Sequence, residues 1–250
     1  SAFTVDNTGP AITLTYAIAS SVPANVAAAE LLSYSASASR PVKGGEVVVV
    51  KAVAAEANAL ASAISLSLDN SRTISAIGNL SASDRTAYFT HTVGSSDTGT
   101  ATVSVTAPDT AGNAATTNST TTFTIDTTPP SAPVALTFTS SGGTVVANSL
   151  NATNTAFSVG ATITAGQVGS AGGTAELLID GASFSPTVTA SVSNTDSSVT
   201  LASGTSTTTD LQSLFTAGTA RVLTVKLTDS AGNATTSSGA GNTVSVLSDY

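Results

Sequence analysis

Residues 109–113 read DTAGN and residues 229–233 read DSAGN, 120 positions apart in a chain of 250 residues. More than one turn repeats at that shift. FTVDNTGP (3–10) lies over FTIDTTPP (123–130), with Asp6 on Asp126 and Pro10 on Pro130. TATVSVTAPD (100–109) lies over ARVLTVKLTD (220–229), so that Val103, Val105 and Ala107 match Leu223, Val225 and Leu227. Alternation of this kind marks a strand with one buried face. Its parity is the same in both copies, so the strand register is repeated too. A turn, a strand parity and a linker at one shift point to a duplicated domain. Each unit is expected to end as strand, hairpin turn and strand. The expected divisions are 1–6, a closing strand or leftover of a preceding unit, then 7–126 and 127–250.

What surrounds the repeat is consistent with strands. Thr and Val favour pleated, half-buried positions, and the Gly, Asn, Asp and Ser clusters favour short turns. GGEVVVVKAVAAE (44–56), ISLSLDN (64–70) and RTAYFTHTV (85–93) read as strands of the first unit. TAFSVGATIT (155–164), TAELLIDG (174–181) and SFSPTVTASV (183–192) read as strands of the second. Closing strands are expected near 120–125 and 242–247. Two short helices are expected, in SVPANVAAAELLSY (21–34) and TTTDLQSLFTAG (207–218). In the latter, Thr208 or Thr209 suits the cap, Asp210 the first turn and Gly218 the stop. The linker DTTPPSAP (126–133) is Pro-rich and therefore stiff. Many short strands with one small helix per unit make the fold all-β: two antiparallel β-sandwiches in tandem with minor short helices.

Composition removes several functions. Seven basic residues against 15 acidic ones give a net charge of −8, which leaves no basic cluster for nucleic-acid phosphates. With no Cys and one His, zinc sites and Cys–His nucleophile pairs are excluded. No G-x-S-x-G elbow is present. GQVGSAGG (166–173) has no following Lys to hold a phosphate. The most apolar stretch, EVVVVKAVAAEANALASAI, is broken by Lys51 and Glu56, so no membrane-spanning helix is expected. The N-terminus lacks the basic and apolar regions of a signal peptide. His91 shares parity with Phe89 and Val93 and is expected to be a structural, inward-facing residue. Four Asn-x-Ser/Thr sites begin at Asn79, Asn118, Asn151 and Asn233.

The phrases RPVKGGEVVVVKAVAAE (40–56), DRTAYFTHTV (84–93), VSVTAPDTAGNAA (103–115), FTIDTTPPSAP (123–133), GGTAELLIDG (172–181) and LTVKLTDSAGNAT (223–235) together resemble the tandem bacterial immunoglobulin-like (Big) domains of large repetitive surface proteins, adhesins and S-layer-type proteins. The resemblance spans most of both units; the segment 17–36 does not follow the family pattern. It implies immunoglobulin-like sandwiches on the cell surface, acting as a non-enzymatic spacer or adhesin stalk. Its expected partners are neighbouring immunoglobulin-like domains or copies of itself. It also implies Ca²⁺ at the junctions, with Asp109 and Asp126 at one, Asp6 at the junction before unit one and Asp229 at the junction after unit two. Loop carboxylates and carbonyls supply the oxygens that Ca²⁺ takes. Two readings stand beside this one: a self-assembling S-layer or filament subunit with strand donation by residues 1–6, and a module binding carbohydrate or a host protein. For the repeated Asp, the residues themselves leave two roles open, ion ligand or turn former, because Asp bonds its own backbone in turns and Gly takes positive φ there.

Overall fold

The computed structural model describes residues 5–56, 59–117, 119–204, 211, 213–215 and 217–249. It divides into two compact units, Ser1–Thr127 and Thr128–Tyr250. Both are β-sandwiches, and the chain is all-β apart from short helical turns.

In unit 1 the strands are β1 (Ala11–Ala19), β2 (Val47–Ala55), β3 (Ser65–Leu68), β4 (Ser75–Ala76), β5 (Thr86–Thr92), β6 (Gly99–Thr106), β7 (Thr116–Thr117) and β8 (Thr122–Ile125). A helix, α1 (Val26–Glu30), lies between β1 and β2. One sheet runs β4-β5-β2-β1-β7 and the other β3-β6-β8. Ile12, Leu14, Val48, Val50 and Phe89 from the first sheet meet Leu66, Ala101, Val103, Phe123 and Ile125 from the second.

The run Val47–Val50 is buried at every position, which a half-exposed strand does not allow. Val48 and Val50 face the sandwich core, whereas Val47 and Val49 enter a second cluster with Ala17, Ala29, Ile77 and Tyr88. The insertion after β1 covers the outer face of the sheet. Its helix starts at Asn25, whose side chain accepts from the Ala28 amide, as N-caps do. The expectation of a short helix in 21–34 is met, but Asn25 starts it and not Pro23.

Unit 2 comprises β9 (Val134–Ser141), β10 (Ser149–Asn151), β11 (Ala156–Thr162), β12 (Gly173–Ile179), β13 (Thr189–Val192), β14 (Ser198–Ala202), β15 (Ala220–Thr228), β16 (Ala234–Thr236) and β17 (Val244–Asp249). One sheet runs β14-β11-β9. The other runs β10-β17-β15-β12-β13, with β16 on β15. Within the core Phe138 stacks on Phe157, ring centroids 5.6 Å apart, and Phe215 meets Phe157 edge to face at 5.5 Å. Phe215 and Leu211 come from a helical turn closed by the Phe215 amide on the Leu211 carbonyl. The cap expected at Thr208 or Thr209 lies outside the described residues.

One sequence expectation is corrected and one is extended. SFSPTVTASV (183–192) is a strand only over Thr189–Val192. Asp180 and Gly181, both at positive φ, make a two-residue hairpin in which Ile179 and Ala182 exchange hydrogen bonds, the turn that Asp-Gly favours. The chain after it is loop, and Pro186 has no amide to donate. The second is an addition to the repeat: the closing strands expected near 120–125 and 242–247 are β8 and β17, antiparallel to β6 and β15 as expected, and a further short strand follows each turn. In unit 2 the strand after the turn, β16, folds back on β15 as expected of a hairpin. In unit 1 the corresponding β7 pairs instead with β1, in parallel, and only β8 returns to β6.

The outward strand positions of the two three-stranded sheets are mostly Ser and Thr, and the Asp69 carboxylate borders the unit 1 face at Thr102. In unit 1, Ser67 lies opposite Ser104, Thr102 opposite Thr122 and Thr100 opposite Thr124. In unit 2, Ser158 lies opposite Thr139, Gly160 opposite Thr137 and Thr162 opposite Ser198.

Candidate functional site

The repeated turn has the same internal geometry in both units. The Asp109 amide donates to the Asn113 carbonyl at 3.1 Å, and the Gly112 amide donates to the Asp109 carbonyl at 3.1 Å. In unit 2 the Asp229 and Gly232 amides do the same at 3.0 and 3.1 Å. Gly112 and Gly232 sit at φ +93° and +90°, which L side chains rarely adopt.

The two carboxylates are buried, so their charge needs hydrogen bonds. Asn113 supplies both kinds: its amide nitrogen donates to Oδ1 of Asp109 at 2.8 Å and its side-chain Nδ2 to Oδ2 at 2.9 Å. Asn233 holds Asp229 likewise, at 2.9 and 3.0 Å, with the Ala231 amide adding a bond to Oδ1 at 2.9 Å. The side chain of Asn113 is the main reason the Asp109 carboxyl lies below the usual carboxylate range; burial opposes it, and the Asn113, Ala111 and Gly112 amides assist. Each turn is also fastened from outside by its second residue. The Thr110 amide donates to the Ala59 carbonyl, and the Ser230 amide to that of Val168.

Of the four acids expected at calcium junctions, the two expected to share one, Asp109 and Asp126, are not brought together. Gly99 pairs with Ile125, which puts Asp126 beside the start of β6, whereas Asp109 follows its far end. At the rise of a strand that separation is roughly 30 Å, so these two residues do not share an ion. Asp6 is the acid that reaches the Asp109 turn. Nδ2 of Asn113, while bonded to Asp109, also donates to the Asp6 carbonyl at 3.1 Å. The Asp6 carboxylate accepts from the Thr8 amide at 3.0 Å. The Asp126 amide donates to the Val42 carbonyl at 3.0 Å. Among the described residues no three His, Cys, Asp or Glu side chains converge on one point. Asp109 and Asp229 each meet donor hydrogens on both oxygens, a set that fits a turn better than a cation.

Sequence reading missed the track that follows the turn. Gly9 packs so tightly on the Ala114 carbonyl that a Cβ there would clash with it. The Thr116 amide donates to the Pro10 carbonyl at 2.8 Å, the Leu14 amide to Oγ of Ser119 at 2.8 Å, and the Tyr16 hydroxyl to the Thr120 carbonyl at 2.7 Å. The available signal was the repeat of Asn four residues after Asp, which a turn alone does not require.

His91 is buried, as expected of a structural residue. Its Nδ1 lies 2.8 Å from the Thr73 carbonyl, and its ring stacks obliquely on Phe123. The carbonyl only accepts, so Nδ1 is the donor in that bond, and Nε2 faces the Asp97 carboxylate at 3.5 Å. Two of the four Asn-x-Ser/Thr amides are engaged: Asn151 donates to the Thr144 carbonyl and Asn233 to Asp229. Asn118 lies outside the described residues. No helix among the described residues is long and apolar enough to cross a membrane.

No protein-family model matches the sequence, and no curated protein matches it. Among solved structures, the chain is similar to the FN1-FN3 domains of chicken CNTN1, with 11% identity over 84% of this chain and a TM-score of 0.44. The match spans 65% of that longer chain, just under two thirds. It is also similar to the D00-D0 domain of intimin (15% identity, 84% of this chain, 96% of the other, TM-score 0.34) and to the D0-D1 domain of intimin (12%, 83%, 93%, 0.27). Similarity this low says nothing about activity or ligand, and the fold rests on the sheets described above.

Proposed function

We propose that the chain is a non-enzymatic, extracellular structural module, a spacer or stalk segment of a bacterial surface protein. The observation that carries this reading is the way each unit ties distant parts of its chain together. β1 pairs in parallel with β7, and β10 with β17. Parallel segments from early and late in a unit are loaded side by side when the ends are pulled, so their bonds share the load. Tandem units built this way transmit tension and hold distance, and neither task needs a catalytic group. The test is constant-speed pulling of the whole chain by its ends. Two separate rupture events are expected, each releasing about 40 nm of chain. A chain that extends smoothly, with no rupture, would contradict the reading.

A second reading, a self-assembling surface-layer or filament subunit, draws support from the hydroxyl-rich faces, bordered in unit 1 by the Asp69 carboxylate. In a chain of net charge −8, these are surfaces on which copies can approach with little repulsion. Charge placed there, as in Thr102→Glu with Thr137→Glu, is expected to abolish ordered assemblies seen by electron microscopy. Unaltered assemblies would reject that role for the faces.

A further inference from the structure

Beyond the spacer reading, the contacts around Asn113 describe a device. One side-chain nitrogen serves two acceptors: the Asp109 carboxylate, which fixes the turn, and the Asp6 carbonyl, which belongs to the chain entering the unit. Three residues on, Gly9 lies against the Ala114 carbonyl at a distance only a residue without Cβ allows. Directly after it, the Pro10 carbonyl accepts from Thr116. Ala11 and Ile12 then pair with Thr116 and Thr117. The entering segment is thus held at successive points along the residues that follow the turn.

We propose that Asn113 and Gly9 form a clasp that closes the entering segment, residues 6–10, onto unit 1. Asn113 acts as a positioning residue. Because its amide is oriented by the buried Asp109 carboxylate, its second hydrogen bond to the Asp6 carbonyl has a preset direction. Gly9 acts by absence: it lets the two backbones approach until Pro10 and Thr116 bond. The clasp bonds the segment through an amide and a carbonyl, and it gives Asn113 a second task in unit 1 beside holding its own Asp, which Asn233 also does.

The Thr116 amide reports on the segment and the Gly112 amide on the turn. Hydrogen exchange of the full chain, read residue by residue by NMR, separates the two. Gly9→Ala removes no donor or acceptor of the turn; its Cβ meets the Ala114 carbonyl first and lies only in van der Waals range of the Asn113 carbonyl carbon, at 3.4 Å. It is expected to speed exchange at Thr116 at least about tenfold, the scale of one lost hydrogen bond and its neighbours, while Gly112 and the β2 amides keep their protection. Asn113→Ala is expected to speed exchange at both Thr116 and Gly112 and again to spare β2. Unchanged exchange at Thr116 in Gly9→Ala would overturn the clasp. So would a uniform rise across β2 and Thr116 in both variants, which would mean the residues support the whole sandwich and not one segment.

Discussion

Asp109 ends a half-buried strand, and its charge is answered locally, by Asn113. Its carboxyl is held below the ordinary Asp value, so the folded unit binds that proton less readily than the unfolded chain. The stabilisation is then complete above the ordinary value of about 3.9. It is lost as pH falls through the lower folded value. Thermal unfolding of Asp109→Asn beside the wild type is expected to show a gap in the unit 1 midpoint that is constant above about pH 5 and closes below about pH 4. A gap independent of pH would remove the carboxylate from the account. The buried Tyr16 hydroxyl, pushed up to about 12 by burial, stays a neutral donor to Thr120. Tyr16→Phe keeps the ring packing and is expected to cost about 1 kcal/mol in a denaturant titration. At this scale the sequence displayed Asp, Gly and Asn at fixed offsets, and from them the turn itself was readable. What Asn113 reaches besides its own Asp depends on a segment 107 residues away, and no local pattern encodes that.

Val47–Val50 shows how elements are decided by what covers them. Period-two reasoning finds a strand there, yet four consecutive buried valines require cover on both faces, as in sheets enclosed between layers. The cover is the insertion around α1, the stretch that departs from the family pattern. Val49→Ala is expected to cost about 2 kcal/mol and to raise exchange at the Ala28 amide, which Asn25 protects. A loss of stability without any response at Ala28 would uncouple the insertion from the sheet. The strands β2, β3, β5, β11 and β12 were legible because Gly, Asn or Asp punctuates their apolar runs. β1, β9 and β14 were not singled out, although ITLTY and LTFTS alternate as regularly as ISLSL. In a chain where Thr and Ser alternate with Val and Ala throughout, parity does not choose which windows pair; that choice belongs to distant strands and the shared core.

The whole molecule is two copies of one plan that differ in topology, above all beside the repeated turn. The duplication was legible from residues 120 apart. The difference was not, because it lies in where the strand after the turn finds its partner: β1 in unit 1, β15 in unit 2. In unit 1 that choice joins the entering chain to the segment 113–120, through Ser119 and the Thr120 carbonyl as well as through β7. If tension is carried by this tie, weakening it must weaken one unit only. The measurement is constant-speed pulling of the full chain with Tyr16→Phe and Ser119→Ala combined, beside the wild type. A load-carrying tie predicts two rupture events in both chains, with the force of one event lowered in the variant and the other unchanged. Equal forces for both events in the two chains would contradict it, because the bonds between β1 and the segment after the turn would then bear no load.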